Sequence, residues 1–217
     1  MYAFISKTMS LWFFVLMSFS CINSTHDSSI PKENFSVDKV ESKYDTSLLR
    51  GCIPQRDTVV DKNNSMQYII VDSFYTVKLK VGGIDTLLSY RFDCSVPRGL
   101  VPAFHSYSKN MICLIRGSGQ HYREFIISYA EDNKIIIKQF ETALATDMDN
   151  TTVVYQDYSE REKIIVENIR NGRRKTFKIP SKYITDMPRS SISNGKLKLA
   201  FSDENVISFS LPRKDLE

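Results

Sequence analysis

An all-β fold, built as an antiparallel meander forming a β-sandwich or barrel, is what this sequence predicts, and three observations carry it. Apolar and polar residues alternate with a period of two from Thr58 onward, the pattern of strands with one dry and one wet face. Short polar or glycine-bearing turns separate the candidate strands, so each is expected to pair with its sequence neighbour. Helical spacing is poorly matched from 58 to 217, and a meander is the simplest way to bury a single apolar face.

Each element has its own signature. Tyr75, Val77, Leu79 and Val81 alternate with Thr76, Lys78 and Lys80, and Gly82-Gly83 permits the reversal into 85–92. Segments 125–129 and 134–140 flank the turn Glu131-Asp132-Asn133, while 152–156 and 163–169 flank 158–162. Asn171-Gly172, residues favoured in a type I′ turn, lead into 173–179. Leu197, Leu199 and Phe201 alternate with Lys196 and Lys198 before Ser202-Asp203-Glu204-Asn205 turns the chain into Ile207, Phe209 and Leu211. Ile135-Ile136-Ile137 and Ile164-Ile165-Val166 are apolar on both faces, which predicts central strands. Acidic turns recur near 132, 160 and 203 at unequal separations, so no fixed period, and no propeller, is expected from them.

The N-terminus has a different character. Lys7 precedes an apolar run over 9–17 that is too short to span a bilayer, and small residues stand at Ser18 and Ser20 immediately before Cys21. This arrangement resembles a bacterial lipoprotein signal peptide. The resemblance implies that residues 1–20 are removed, that Cys21 carries diacylglycerol, and that the protein is exported to the cell envelope and held at a bacterial membrane. Ser18-Phe19-Ser20 also fits an ordinary small-x-small cleavage site, which would leave Cys21 a plain thiol on a periplasmic or secreted protein. The expected organisation is a signal peptide over 1–20, a polar tether over 21–50 and one β domain over 51–217. Asp38 and Glu41 at capping-box spacing, with Val40, Tyr44 and Leu48 behind them, fit a short helix within 38–50, with continued tether as the alternative.

Composition narrows the function. Removing Lys7 with the signal leaves 28 basic residues against 25 acidic ones, a net charge too small to imply nucleic acid. Trp12 is the sole tryptophan and leaves with the signal, which lowers the expectation of sugar stacking.

Candidate chemistry is sparse, and no cofactor or enzymatic activity is expected. His105, Cys113 and His121 are eight residues apart, but no close ligand pair accompanies them, so core packing is preferred to a metal. Gly117-Ser118-Gly119 before His121 lacks the strand-turn-helix setting of a nucleophile elbow. Asp147-Met148-Asp149-Asn150 starts like a calcium loop, but Thr152 and Tyr158 occupy the glycine and bidentate-glutamate places. Arg170, Arg173, Arg174, Lys175 and Lys178, with Lys182, crowd one hairpin. That cluster could meet an anionic surface, or be a solvated edge protected from strand pairing by its charges. Cys52 and Cys94 are the candidate disulfide, with three separate thiols as the alternative and Cys113 a buried thiol in an apolar strand. The expectation is a lipid-anchored envelope protein with a non-enzymatic binding or structural domain. Its partners would be the membrane, through Cys21, and an envelope protein or anionic surface. An inhibitor or immunity-type protein that neutralises a toxin or hydrolase is the alternative, its contact carried by an exposed loop over 95–107.

Overall fold

Strand alternation gives an all-β fold, as expected, and among the described residues it is divided into four antiparallel sheets that do not close into a barrel. The structure, a computed structural model, describes residues 57–117, 122–185 and 188–211. The signal peptide, tether and short helix expected over 1–50 lie outside the described residues. Sheet I holds β1 (Thr58–Asp61), β2 (Asn64–Val71), β3 (Phe74–Val81) and β4 (Ile84–Leu87), and sheet II holds β5 (Ala103–Ser108), β6 (Met111–Arg116), β7 (Glu124–Glu131) and β8 (Lys134–Phe140). Sheet III holds β9 (Ala143–Asp147), β10 (Thr152–Gln156), β11 (Lys163–Asn168) and β12 (Arg174–Lys178), and sheet IV holds β13 (Arg189–Ser193), β14 (Lys196–Ala200) and β15 (Val206–Ser210). The class is therefore all-β, and every pairing between these strands is antiparallel.

Within each sheet the spatial order equals the chain order, the connectivity of a propeller blade. The first strands begin at Thr58, Ala103, Ala143 and Arg189, successively 45, 40 and 46 residues apart, close to the spacing of four-stranded blade repeats, about 40–45 residues. The meanders therefore recur at a near-regular spacing, where the acidic turns predicted no fixed period. The turns near 132, 160 and 203 hid it because they are not equivalent. The first is the third hairpin of its sheet and the other two are second hairpins. The meander repeats, and the acidic turn does not.

The sheets share three apolar layers. Val77 and Leu79 of sheet I pack with Ile112, Leu114 and Ile126 of sheet II. The opposite face of sheet II supplies Cys113, Phe125, Ile127 and Tyr129, which pack with Ala143 and Val153 of sheet III. Val154, Ile164 and Val166 on the far side of sheet III then meet Leu197 and Leu199 of sheet IV. The other face of sheet IV is polar: Ser191, Ser193, Lys196, Lys198, Ser208 and Ser210 on it are exposed, a face of the kind that keeps the end of a stack soluble.

This layering corrects the reading of the isoleucine runs. Ile164-Ile165-Val166 lies on the interior strand β11, but Ile135-Ile136-Ile137 lies on β8, the edge of sheet II. Its two faces are apolar because the whole sheet stands between two others: Ile135 packs against the layer toward sheet I and Ile136 against the layer toward sheet III. Dryness on both faces reports sheet stacking, not a central place within a sheet.

Two local expectations also change. Gly82 and Gly83 both take positive φ, 59° and 87°, the values a type I′ turn requires. At the β11–β12 connection only Gly172 does so (φ 73°), so Asn171-Gly172 is not a type I′ turn. The fully buried Ile169 leaves the ladder to enter the layer between sheets II and III. The loop widens to 169–173, and the Asn168 side chain accepts bonds from the backbone N–H groups of Arg170 and Asn171. The loop expected over 95–107 shortens, because 103–107 belong to β5 and Phe104 packs on the first apolar layer.

Ser128 on β7 shares the sheet I side with Ile126 and is fully buried, and its hydroxyl has no hydrogen-bond partner among the described residues. An unmet buried hydroxyl costs about 1–3 kcal/mol. Ser128→Ala is therefore expected to raise the denaturation midpoint; a chemical-denaturation curve shifted to lower denaturant would contradict this.

Candidate functional site

Where β6 ends and β7 begins, the chain builds a cationic cavity. A 3-10 turn, Arg98–Leu100, lies beside the end of β6, tied there by the Gly117 N–H donating to the Gly99 carbonyl at 2.5 Å. A cavity of about 320 Å³ opens between them, lined by Arg98, Gly99, Val101, Ala103, Ile115, Arg116, Gly117, Tyr122 and Arg123. Gly117 can only be glycine: its φ is 155°, and a Cβ there would stand 2.1 Å from the Tyr122 carbonyl oxygen.

Behind the cavity sits Glu124, a carboxylate that is 1% exposed. It faces Arg116 directly across the β6–β7 ladder, and the Arg116 Nε donates to its Oε2 at 2.6 Å. The Tyr122 hydroxyl donates to the same oxygen at 2.6 Å, and the Tyr90 hydroxyl reaches Oε1 at 3.4 Å. The Arg116 guanidinium carbon lies 4.3 Å from the centre of the Tyr90 ring, a cation–π contact. Loss of water and the bond to Glu124 push the Tyr122 phenol up to about 12, so it stays a neutral donor. Beyond Arg123, His105 stacks on Phe125 with centroids 4.9 Å apart. Loss of water and then the Arg123 charge lower its pKa from the ordinary imidazole value.

The same device occurs in sheet III. Glu167, like Glu124 on the third strand of its meander, is buried and accepts from the Tyr155 hydroxyl at 2.7 Å and from the Arg174 Nε at 2.6 Å. Arg174 thereby has a buried acidic partner while its side chain stays 61% exposed. Arg170 pairs with Glu131 at 3.4 Å and lies over the Tyr129 ring, Lys175 lies 5.8 Å from the Phe177 ring centre, and Lys182 pairs with Asp203. Arg173 and Lys178 are exposed. The members of the cluster therefore differ in how far they are engaged within the domain, and mutation is expected to separate them. Arg173→Gln with Lys175→Gln is expected to leave the thermal midpoint within about 2 °C. Arg174→Gln, which takes a charged partner from a buried carboxylate, is expected to cost about 1–2 kcal/mol. Equal midpoints for the two variants would refute the distinction.

Cys94 is disulfide-bonded; its partner lies outside the described residues, where the sequence holds Cys21 and Cys52. Cys113 is a free, fully buried thiol pushed up to about 12 by burial, which makes it a poor nucleophile. His121 and the Ser118-Gly119 pair are outside the described residues. Among the described residues no three His, Cys, Asp or Glu side chains are placed to hold a metal ion, and no helix is long and apolar enough to cross a membrane.

Sequence reasoning missed the cavity. Its signal was a lone acid, Glu124, opening an apolar strand eight residues after an arginine that closes another. Arg98 carries no such mark, since it reaches the site through the turn before β5. Compared with known proteins, the sequence matches no family model and no curated protein.

Proposed function

We infer that this is an exported cell-envelope protein, anchored through lipid on Cys21, whose β domain is a non-enzymatic binding domain. The apolar run over 9–17 ending in Ser18-Phe19-Ser20-Cys21 supports the address and the anchor. The cavity on sheet II supports the binding role. Its lining includes three arginines and a neutral phenol, and the carboxylate behind it is already engaged by three donors; such groups suit an anion. The anchor also bears on the disulfide: a lipidated Cys21 leaves Cys52 as the partner of Cys94.

Intact mass of the mature protein from its native host tests the reading. The expected species begins at Cys21 and carries two or three acyl chains. An unmodified chain beginning at Cys21, or one retaining residues 1–20, removes the anchor. Non-reducing peptide mapping of the same sample is expected to join the Cys52 and Cys94 peptides.

A further inference from the structure

We propose that the cavity on sheet II binds a phosphomonoester, the phosphoryl group held by Arg98, Arg116 and Arg123. This deepens the reading of the domain as a binding module and rests on it. Charge selects the ligand. Three arginines line the cavity; Glu124, buried behind it, offsets Arg116, and the Arg123 Nη1 also donates to the Leu144 carbonyl at 3.4 Å, which leaves its charge unneutralised. Glu141 acts on Tyr122 from outside the lining and is exposed to water, which screens its charge. The charges of Arg98 and Arg123 remain among the lining residues without an acidic partner there, and a phosphomonoester carries about that much negative charge near neutral pH.

Geometry selects it as well. The Arg116 guanidinium is held at its Nε by Glu124 and on one face by Tyr90. Its terminal amino groups have no partner among the described residues. A guanidinium fixed in this way offers parallel donors without having to be ordered when the ligand arrives. Gly99 and Gly117 keep side chains out of the wall, and no Cβ fits at Gly117, so the ligand can approach the backbone. Val101, Ala103 and Ile115 supply an apolar floor for the organic part of the ester. A single carboxylate would neutralise only part of the exposed positive charge.

Two sources offer this chemistry, a soluble sugar phosphate and a lipid with a phosphomonoester headgroup, and the experiment separates them. The full mature chain is titrated at low ionic strength with glucose 1-phosphate, inorganic phosphate and acetate. In parallel it is sedimented with phosphatidylcholine vesicles with and without phosphatidic acid. Saturable one-to-one binding of glucose 1-phosphate is expected, or, for a headgroup ligand, sedimentation that requires phosphatidic acid. Arg98→Gln, an exposed change that should leave the thermal midpoint in place, is expected to weaken that binding about tenfold, the worth of one charge-assisted hydrogen bond. R98Q/R123Q is expected to abolish it. If the double variant fails to fold, the single variant decides. The proposal is overturned by the absence of binding to every phosphomonoester, by acetate binding as tightly as phosphate, or by an unchanged affinity in Arg98→Gln. None of these outcomes touches the anchor, which the mass of the mature N-terminus tests separately.

Discussion

Glu124→Ala is expected to be among the most destabilising single changes in the domain, lowering stability by about 3–5 kcal/mol. The carboxylate is 1% exposed and receives the Arg116 Nε and the Tyr122 hydroxyl at 2.6 Å each. Truncation leaves a guanidinium, itself only 24% exposed, beside a void and without its counter-charge. For a domain of this size the thermal midpoint should fall by roughly 10 °C or more. Glu124→Gln keeps the volume and one acceptor, so its loss should be smaller. Removing both charges together, as Glu124→Leu with Arg116→Met, should recover part of the loss, because the uncompensated cation is then gone. A midpoint within 2 °C of the parent for Glu124→Ala would mean that the network contributes nothing to the folded state.

Ile126→Ala and Ile137→Ala should differ several-fold in cost, although both isoleucines belong to apolar runs of sheet II. Ile126 lies on the interior strand β7, is fully buried and packs in the layer between sheets I and II. Its truncation should cost about 3–4 kcal/mol, the transfer of the lost carbons plus the cavity left behind. Ile137, on the edge strand β8, is 36% exposed, and its truncation should cost about 1 kcal/mol or less. Denaturant midpoints measured at constant m-value decide the matter. Equal losses would place β8 inside the sheet after all.

Much of the fold was legible in the sequence because the information is local. The Tyr75–Val81 alternation, the Gly82-Gly83 reversal and the acidic turn at 132 each fix a hairpin without reference to the rest of the chain. What was not legible is what one sheet does to another. An isoleucine triplet reads the same whether its strand is central in a sheet or lies at the edge of a sheet that stands between two others. The 40–46 residue spacing of the meanders was hidden because the most visible turns occupy different places within them. The candidate site suffered similarly. Arg116 and Glu124 are only eight positions apart in sequence and could be paired by eye, whereas Arg98 joins them only because the 3-10 turn before β5 folds against the end of β6. The cationic hairpin was visible as composition, but composition could not show that Arg174 and Arg170 were already engaged by acids, one of them buried.

The order of the sheets has a consequence for how the chain reaches this state. Among the described residues each sheet pairs only with its own neighbouring strands, so each ladder closes over short loops with little entropic cost. Low contact order of this kind favours rapid, piecewise folding. A chain delivered from its N-terminus can zip sheet I, then lay sheet II upon it, and continue by accretion. At every intermediate stage the newest sheet presents a bare apolar face, Phe125 and Ile127 before sheet III arrives, then Ile164 and Val166 before sheet IV. Such a face is the point at which an arrested chain would aggregate. The serines and lysines on the outer face of sheet IV end that exposure: once β13 to β15 have docked, the newest face is one that water wets.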